Sequence, residues 1–210
     1  MKRWKNRMVL LLTAVLLGTL TACGTKTPAS SAASQTESVA PSSAPSDTAS
    51  GKTLVVYFSA TGHTKAVAET VASAAGAELF EIEPKEPYSA ADLNYNDAKS
   101  RVSVEHADPE RQNVALAVDS APNWAEYDTV YIGYPIWWGV AAWPVRSFVA
   151  ANDFSGKTVI PFCTSASSAL GDSAAQLQDA ASGGNWQAGK RFSSDAGAAE
   201  VTEWVQSLSH

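Results

Sequence analysis

Residues 54–58, Leu-Val-Val-Tyr-Phe, form an apolar run that gives way within five residues to a helical pattern over 64–75, with Val67, Ala68 and Val71 on one face and Gly76 at the stop position. A strand that turns so abruptly into a helix can bury both apolar sides only if the helix folds back over a sheet, which is the repeating unit of an α/β domain. Runs of the same kind return at 79–82, 130–134 and 159–163, mostly with helical patterns between them. A second helix is expected from Pro144, with Val145, Phe148 and Val149 turned inward. A last one is expected where Val201, Trp204, Val205 and Leu208 repeat at i, i+3, i+4 and i+7 after a Ser193-Ser194-Asp195 cap region. Residues 84–126 are weakly patterned, with one short helix expected around 97–106, and a loose stretch of that length inside a compact domain points to function.

Charge and residue counts remove several classes. The chain has a formal net charge of −6, and residues 52–210 hold 10 basic against 19 acidic side chains, so nucleic acid is not an expected partner. Three histidines (His63, His106, His210) and two cysteines (Cys23, Cys163) are too few for a zinc cluster or a disulfide framework, and no metal is expected. Cys163 ends an apolar run without a partner cysteine and reads as a buried hydrophobe ahead of a redox thiol.

The first 22 residues carry Lys2, Arg3, Lys5 and Arg7 and then a 13-residue apolar run from Met8 to Leu20. That is short for a transmembrane helix and right for a signal-peptide core. The run ends in Leu20-Thr21-Ala22-Cys23-Gly24, which resembles the bacterial lipobox and marks Cys23 for acylation as the mature N-terminus. From 25 to 51, Ser, Ala, Thr and Pro fill 21 of 27 positions, with no aromatic residue, and such a segment cannot offset its chain entropy. The expected organisation is therefore a lipoprotein signal peptide over 1–22, a lipidated Cys23 with a disordered tether to residue 51, and a folded domain over 52–210. The expected location is extracytoplasmic, lipid-anchored at the cell membrane or cell envelope.

Chemistry concentrates in the turn Ser59-Ala60-Thr61-Gly62-His63-Thr64 between the first strand and its helix. A helix N-terminus offers unpaired N–H groups and a partial positive charge, and three hydroxyls beside it would complete a pocket for a phosphate dianion without any basic side chain. Alternatively, one of Ser59, Thr61 and Thr64 simply caps the helix. No G-x-G-x-x-G occurs, and Gly51-Lys52-Thr53 and Gly156-Lys157-Thr158 have Ser46 and Ala151 where a nucleotide-triphosphate loop needs its first glycine.

The strand followed by S-x-T-G-x-T, with Ala68 and Val71 on the helix, resembles the FMN-phosphate signature of the flavodoxin family, in particular its small, secreted or lipidated bacterial members. The resemblance implies a doubly wound three-layer α/β/α fold with a five-stranded parallel sheet of order 2-1-3-4-5 and FMN at the switch point between the first and third strands. It places FMN phosphate on Ser59, Ala60, Thr61, Gly62, His63 and Thr64. The loop Pro135-Ile136-Trp137-Trp138-Gly139 would cover the flavin ring, although either indole could instead pack under the neighbouring helix. Thr164, Ser165 and Ser167 would take the pyrimidine end. His63 could donate to the phosphate or face solvent, and Tyr88 with Asp92–Asp97 resembles a family segment of open role.

Three functions follow from the resemblance. The first is an FMN-binding electron-transfer protein working with a redox partner protein or a small-molecule acceptor. The second is an FMN-dependent NAD(P)H:quinone-type oxidoreductase, with 84–126 shaping a substrate pocket. The third is a lipid-anchored binding module that has lost its flavin.

Overall fold

The computed structural model describes residues 51–208. The signal peptide, Cys23 and the tether up to residue 50 lie outside the described residues, as does His210.

Elements follow one another as β1 (Lys52–Tyr57), α1 (His63–Ala75), β2 (Glu78–Glu81), α2 (Arg101–Ala107), β3 (Tyr127–Trp137), β4 (Val140–Ala141), α3 (Trp143–Ala151), β5 (Thr158–Ser165), α4 (Ser173–Ala180), β6 (Asn185–Trp186), β7 (Lys190–Ser193) and α5 (Ala198–Ser207). Four of these strands cover the four apolar runs of the sequence. The main sheet is parallel and ordered β2-β1-β3-β5, with β6 and β7 both pairing with β5 as two pieces of one outer strand. That is the expected doubly wound topology, with its switch between β1 and β3.

The outer strand is interrupted at Gln187–Gly189, beside Ile160 and Pro161 of β5, which have no partner on that side. Proline brings no N–H to a ladder, and sheets tolerate it where pairing stops. The split also accounts for a difference from the sequence reading at the last helix. Ser193 ends β7 and its hydroxyl donates to the Asp195 carboxylate, so the N-cap falls on Gly197 and not in the Ser193–Asp195 stretch. The end of a strand and the turn after it occupy the positions that composition alone assigned to a cap.

Alternation along the central strands produces two cores. Leu54, Val56, Val130, Ile132, Val159 and Cys163 face one side, where Phe148 and Val149 of α3 and Leu177 of α4 cover them. Val55, Tyr57, Tyr131, Ile160 and Phe162 face the other side, beneath Val67 and Val71 of α1 and Val201 and Val205 of α5. Cys163 is fully buried, and burial pushes its thiol up to about 12, so it stays protonated as the buried hydrophobe expected.

Residues 84–126 are ordered by a polar cluster around a buried carboxylate. Glu105 accepts from the Tyr88 hydroxyl at 2.7 Å and from Arg101 Nε at 2.7 Å, while the guanidinium lies 3.9 Å from the Tyr88 ring centre and donates to the Glu86 carbonyl. A buried charge with both partners in place is costly to disturb. Its effect is to pin the loop to the carboxyl end of the sheet, since the Tyr88 ring packs edge-on against Phe58 and Trp137.

Gly133, in the middle of β3, leaves room for the Phe162 ring of β5, which an added Cβ would approach to 2.3 Å. Gly133→Ala is therefore expected to destabilise the domain by about 1–3 kcal/mol through overpacking. A urea melt should show a lower midpoint at unchanged slope, and an unaltered midpoint would mean that the ring has free space to move into.

Candidate functional site

Three turns meet at the carboxyl end of the parallel strands. The turn after β1, the end of β3 and the turn after β5 enclose a cleft of about 490 Å³, within the size range of small-molecule sites. Leu93 and Tyr95 from the long loop close one side, and Ser194 closes another.

Of the residues singled out in the sequence, Ala60, Thr61, His63, Pro135, Ile136, Trp137, Thr164, Ser165 and Ser167 line this cleft. Ser59, Gly62, Thr64, Trp138 and Gly139 do not. Ser59 instead shapes the turn, its Oγ accepting the Gly62 N–H at 3.1 Å. Thr64 is buried, and its hydroxyl lies 2.7 Å from that of Thr164 in a direct bond between the start of α1 and the end of β5. One hydroxyl hydrogen satisfies that bond and the other is available to a further acceptor.

The helix start is open. Gly62 is the N-cap of α1 and no side chain caps the helix, so the simple capping role for Ser59, Thr61 or Thr64 is not what the fold uses. The first N–H groups of α1 and their partial charge are left at the cleft wall, where Thr61 and His63 are exposed. Nine lining residues carry a side-chain donor: Thr61, His63, Tyr95, Trp137, Thr164, Ser165, Ser167, Ser168 and Ser194. None of the lining residues is Asp or Glu, in a domain with 19 acidic side chains. Asp195 stands nearby but outside the lining. Its carboxyl is held below the usual range first by the Ser193 hydroxyl, then by its own backbone N–H, with Arg191 and His63 adding to the effect.

The two indoles separate in role. Trp137 ends β3, is 3% exposed, and packs edge-on against Phe58, Tyr88 and Trp143 while lining the cleft. Trp138 and Gly139 form a two-residue hairpin turn into β4, both with positive φ (47° and 82°). Such turns favour Asn-Gly, and an indole there is strained by about 1–2 kcal/mol. Trp138 is 38% exposed and lies parallel to His106 at 4.3 Å, with Tyr95 at 4.8 Å.

Sequence reasoning missed Ser194 as a lining residue and Arg191 as a support, and it left Leu93 and Tyr95 within a segment of open role, while Ala166 and Ser168 belong to the 164–168 loop expected at the pyrimidine end. Arg191 of β7 donates to the carbonyls of Ser165 (2.6 Å) and Ala166 (3.3 Å), fixing the serine-rich turn from beneath. No local pattern marks a residue whose partner is 26 positions away. Tyr95 did carry a signal, an aromatic ring in an otherwise polar stretch.

A doubly wound parallel sheet with an uncapped helix N-terminus and a donor-rich cleft at its switch point defines a flavodoxin-like protein. The flavodoxin family model matches residues 52–208, and the chain belongs to that family. Among solved structures it is similar to a protein of Bacteroides uniformis assigned as a flavoprotein, with 44% identity over 74% of this chain and 98% of that one, TM-score 0.69. A protein of Bacteroides eggerthii, likewise assigned as a flavoprotein, shares 38% identity over 76% of this chain and 99% of that one, TM-score 0.68. At the level of fold, a Lactobacillus acidophilus flavoprotein solved in complex with FMN aligns at 24% identity over 73% and 98% of the two chains, TM-score 0.53. No curated protein matches the chain.

The Thr64–Thr164 bond makes a measurable demand. Thr64→Val or Thr164→Val alone leaves a buried hydroxyl unpaired and should cost about 1–3 kcal/mol, whereas the double variant should cost less than the sum of the singles. Strict additivity in a denaturation cycle would mean that the two turns are not joined by this bond.

Proposed function

We propose that the protein is an FMN-binding electron-transfer protein, tethered by lipid on Cys23 to the outer face of a bacterial membrane. The observation that carries the reading is the cleft itself: nine donor side chains, no carboxylate, and an uncapped helix start in an otherwise acidic domain. That donor set fits a phosphate dianion and the carbonyl edge of a flavin, and family membership agrees with it. The flavoprotein of known FMN complex shares this fold.

FMN is its cofactor, and the isoalloxazine ring supplies the redox chemistry. Thr61, His63 and the first N–H groups of α1 hold the phosphate, with Ser59 shaping their turn and the Thr64–Thr164 pair offering its remaining hydroxyl hydrogen. The backbone and hydroxyls of Ser165, Ser167 and Ser168 meet the pyrimidine end. Trp137 and Tyr95 bound the ring's surroundings and exclude water. The excess of carboxylates disfavours added negative charge in the cleft and steers basic partners toward it, with a rate that falls as salt is added.

FMN should bind far more tightly than riboflavin, and Thr61→Val should weaken FMN by roughly tenfold to a hundredfold while leaving riboflavin unchanged, since a bond to a charged acceptor contributes about 1.5–3 kcal/mol. Equal affinities for the two flavins would remove the phosphate from the reading. Anaerobic titration distinguishes carrier from reductase: dithionite should reduce the loaded protein in two resolved one-electron steps with NADPH inert, whereas rapid bleaching by NADPH would favour the oxidoreductase. A purified chain that takes up no flavin would point to the binding module.

Cys23→Ala should shift the protein from the membrane fraction to the soluble fraction and abolish incorporation of labelled palmitate. Among the described residues no helix is long and apolar enough to cross a membrane. Retention of Cys23→Ala in the membrane with normal palmitate labelling would reject the anchor.

A further inference from the structure

Among the described residues three buried side-chain polar atoms lack a hydrogen-bond partner: Trp143 Nε1, Ser147 Oγ and Arg191 Nε. Arg191 belongs to the support of the cleft. The other two lie one turn apart on α3, on a single helix face with Arg146 between them. That face walls two neighbouring cavities of about 320 Å³ and 240 Å³, which share Arg146 and Gln112. Neither cavity has a lining residue in common with the flavin cleft.

The larger cavity has an apolar floor and a donor-rich wall. Val140 and Leu177 supply the floor, and Trp143, Arg146, Gln112 and Gln176 the wall. Trp143 is 2% exposed, and a buried indole N–H without an acceptor is uncommon in native proteins. Arg146 makes no ion pair and no side-chain hydrogen bond among the described residues, although its domain is rich in acids. An indole N–H and a guanidinium one turn apart have donors and no acceptor capacity, so their complement is an acceptor-only group, a carboxylate. Asp179 on the same cavity offsets part of the Arg146 charge, so a second carboxylate on a ligand would find no counter-charge there.

We propose that this cavity binds a small organic monocarboxylate with an apolar body. Its carboxylate lies on Arg146 and the Trp143 N–H, and its body lies over Val140 and Leu177. The site is independent of the flavin reading, yet the two communicate: the Trp143 ring stands 5.8 Å from that of Trp137, which lines the cleft, and 6.3 Å from that of Trp138. Occupancy would therefore be felt at the aromatic wall of the flavin site.

Benzoate is a suitable probe, titrated into the full chain with and without FMN and followed by calorimetry and tryptophan fluorescence. Saturable binding at one site is expected, with benzamide at least tenfold weaker. Arg146→Gln, at an exposed position that leaves the core intact, should lose at least tenfold for benzoate and keep wild-type FMN affinity. Trp143→Phe, which keeps a ring and removes the N–H, should lose several-fold. Absence of saturable binding, equal affinity for benzamide, or an Arg146→Gln variant that binds benzoate as wild type would overturn the assignment. Loss of benzoate binding on saturation with FMN would overturn it as well, by placing benzoate in the flavin cleft.

Discussion

The 2.7 Å bond between the hydroxyls of Thr64 and Thr164 ties together the two turns on which the cleft depends. Thr64 is on the first turn of α1 and Thr164 is near the end of β5, 100 positions later, so the bond closes the site across β3. Both residues are buried, where a hydrogen bond is worth more and its loss costs more than at the surface. Because the pair has two hydrogens and uses one, it holds the turns in place while keeping a donor for an anion.

Around that pin the cleft is built by different kinds of force. Trp137 lines it from the inside, and behind that ring Phe58, Tyr88 and Trp143 meet it edge to face, an arrangement that fixes ring positions more sharply than aliphatic contacts do. The outer side is polar and anchored at a distance, through Glu105 and its two partners to Tyr88, and through Asp92 to the N–H and hydroxyl of Ser89. Trp138 is the exception, held at φ 47° in a turn that an indole does not favour. The parallel stack with His106 is the visible compensation, and it spends the strain on an exposed ring beside the site.

The charge pattern gives the domain its functional asymmetry. Carboxylates outnumber cations almost two to one over 52–210, yet the cleft is lined by hydroxyls, one imidazole and backbone N–H groups. Hydroxyl and backbone donors supply no counter-charge to offset the surrounding field, so an anion held there meets the repulsion of the whole domain. The Arg146 cavity follows the opposite design, with a fixed cation behind the aromatic wall. The two sites on either side of Trp137 and Trp143 therefore select anions by different means.

The S-x-T-G-x-T turn, the four apolar runs and the last amphipathic helix were legible in the chain, because each is a local pattern: period-two or period-3.6 burial, or hydroxyls next to a helix start. They were enough for the fold class, the family and most of the cleft lining. Residue-by-residue roles were not local. That Ser59 shapes the turn while Thr64 pairs with Thr164, that Trp137 turns inward while Trp138 turns outward, and that Arg191 braces the serine-rich turn depend on partners brought together only by the sheet order. The second and fifth strands of the sheet were likewise unequal in the sequence, since β6 and β7 are too short and too broken to show a period. Spacing along the chain decides what a segment can be, and the packing of distant segments decides which side of it meets the cleft.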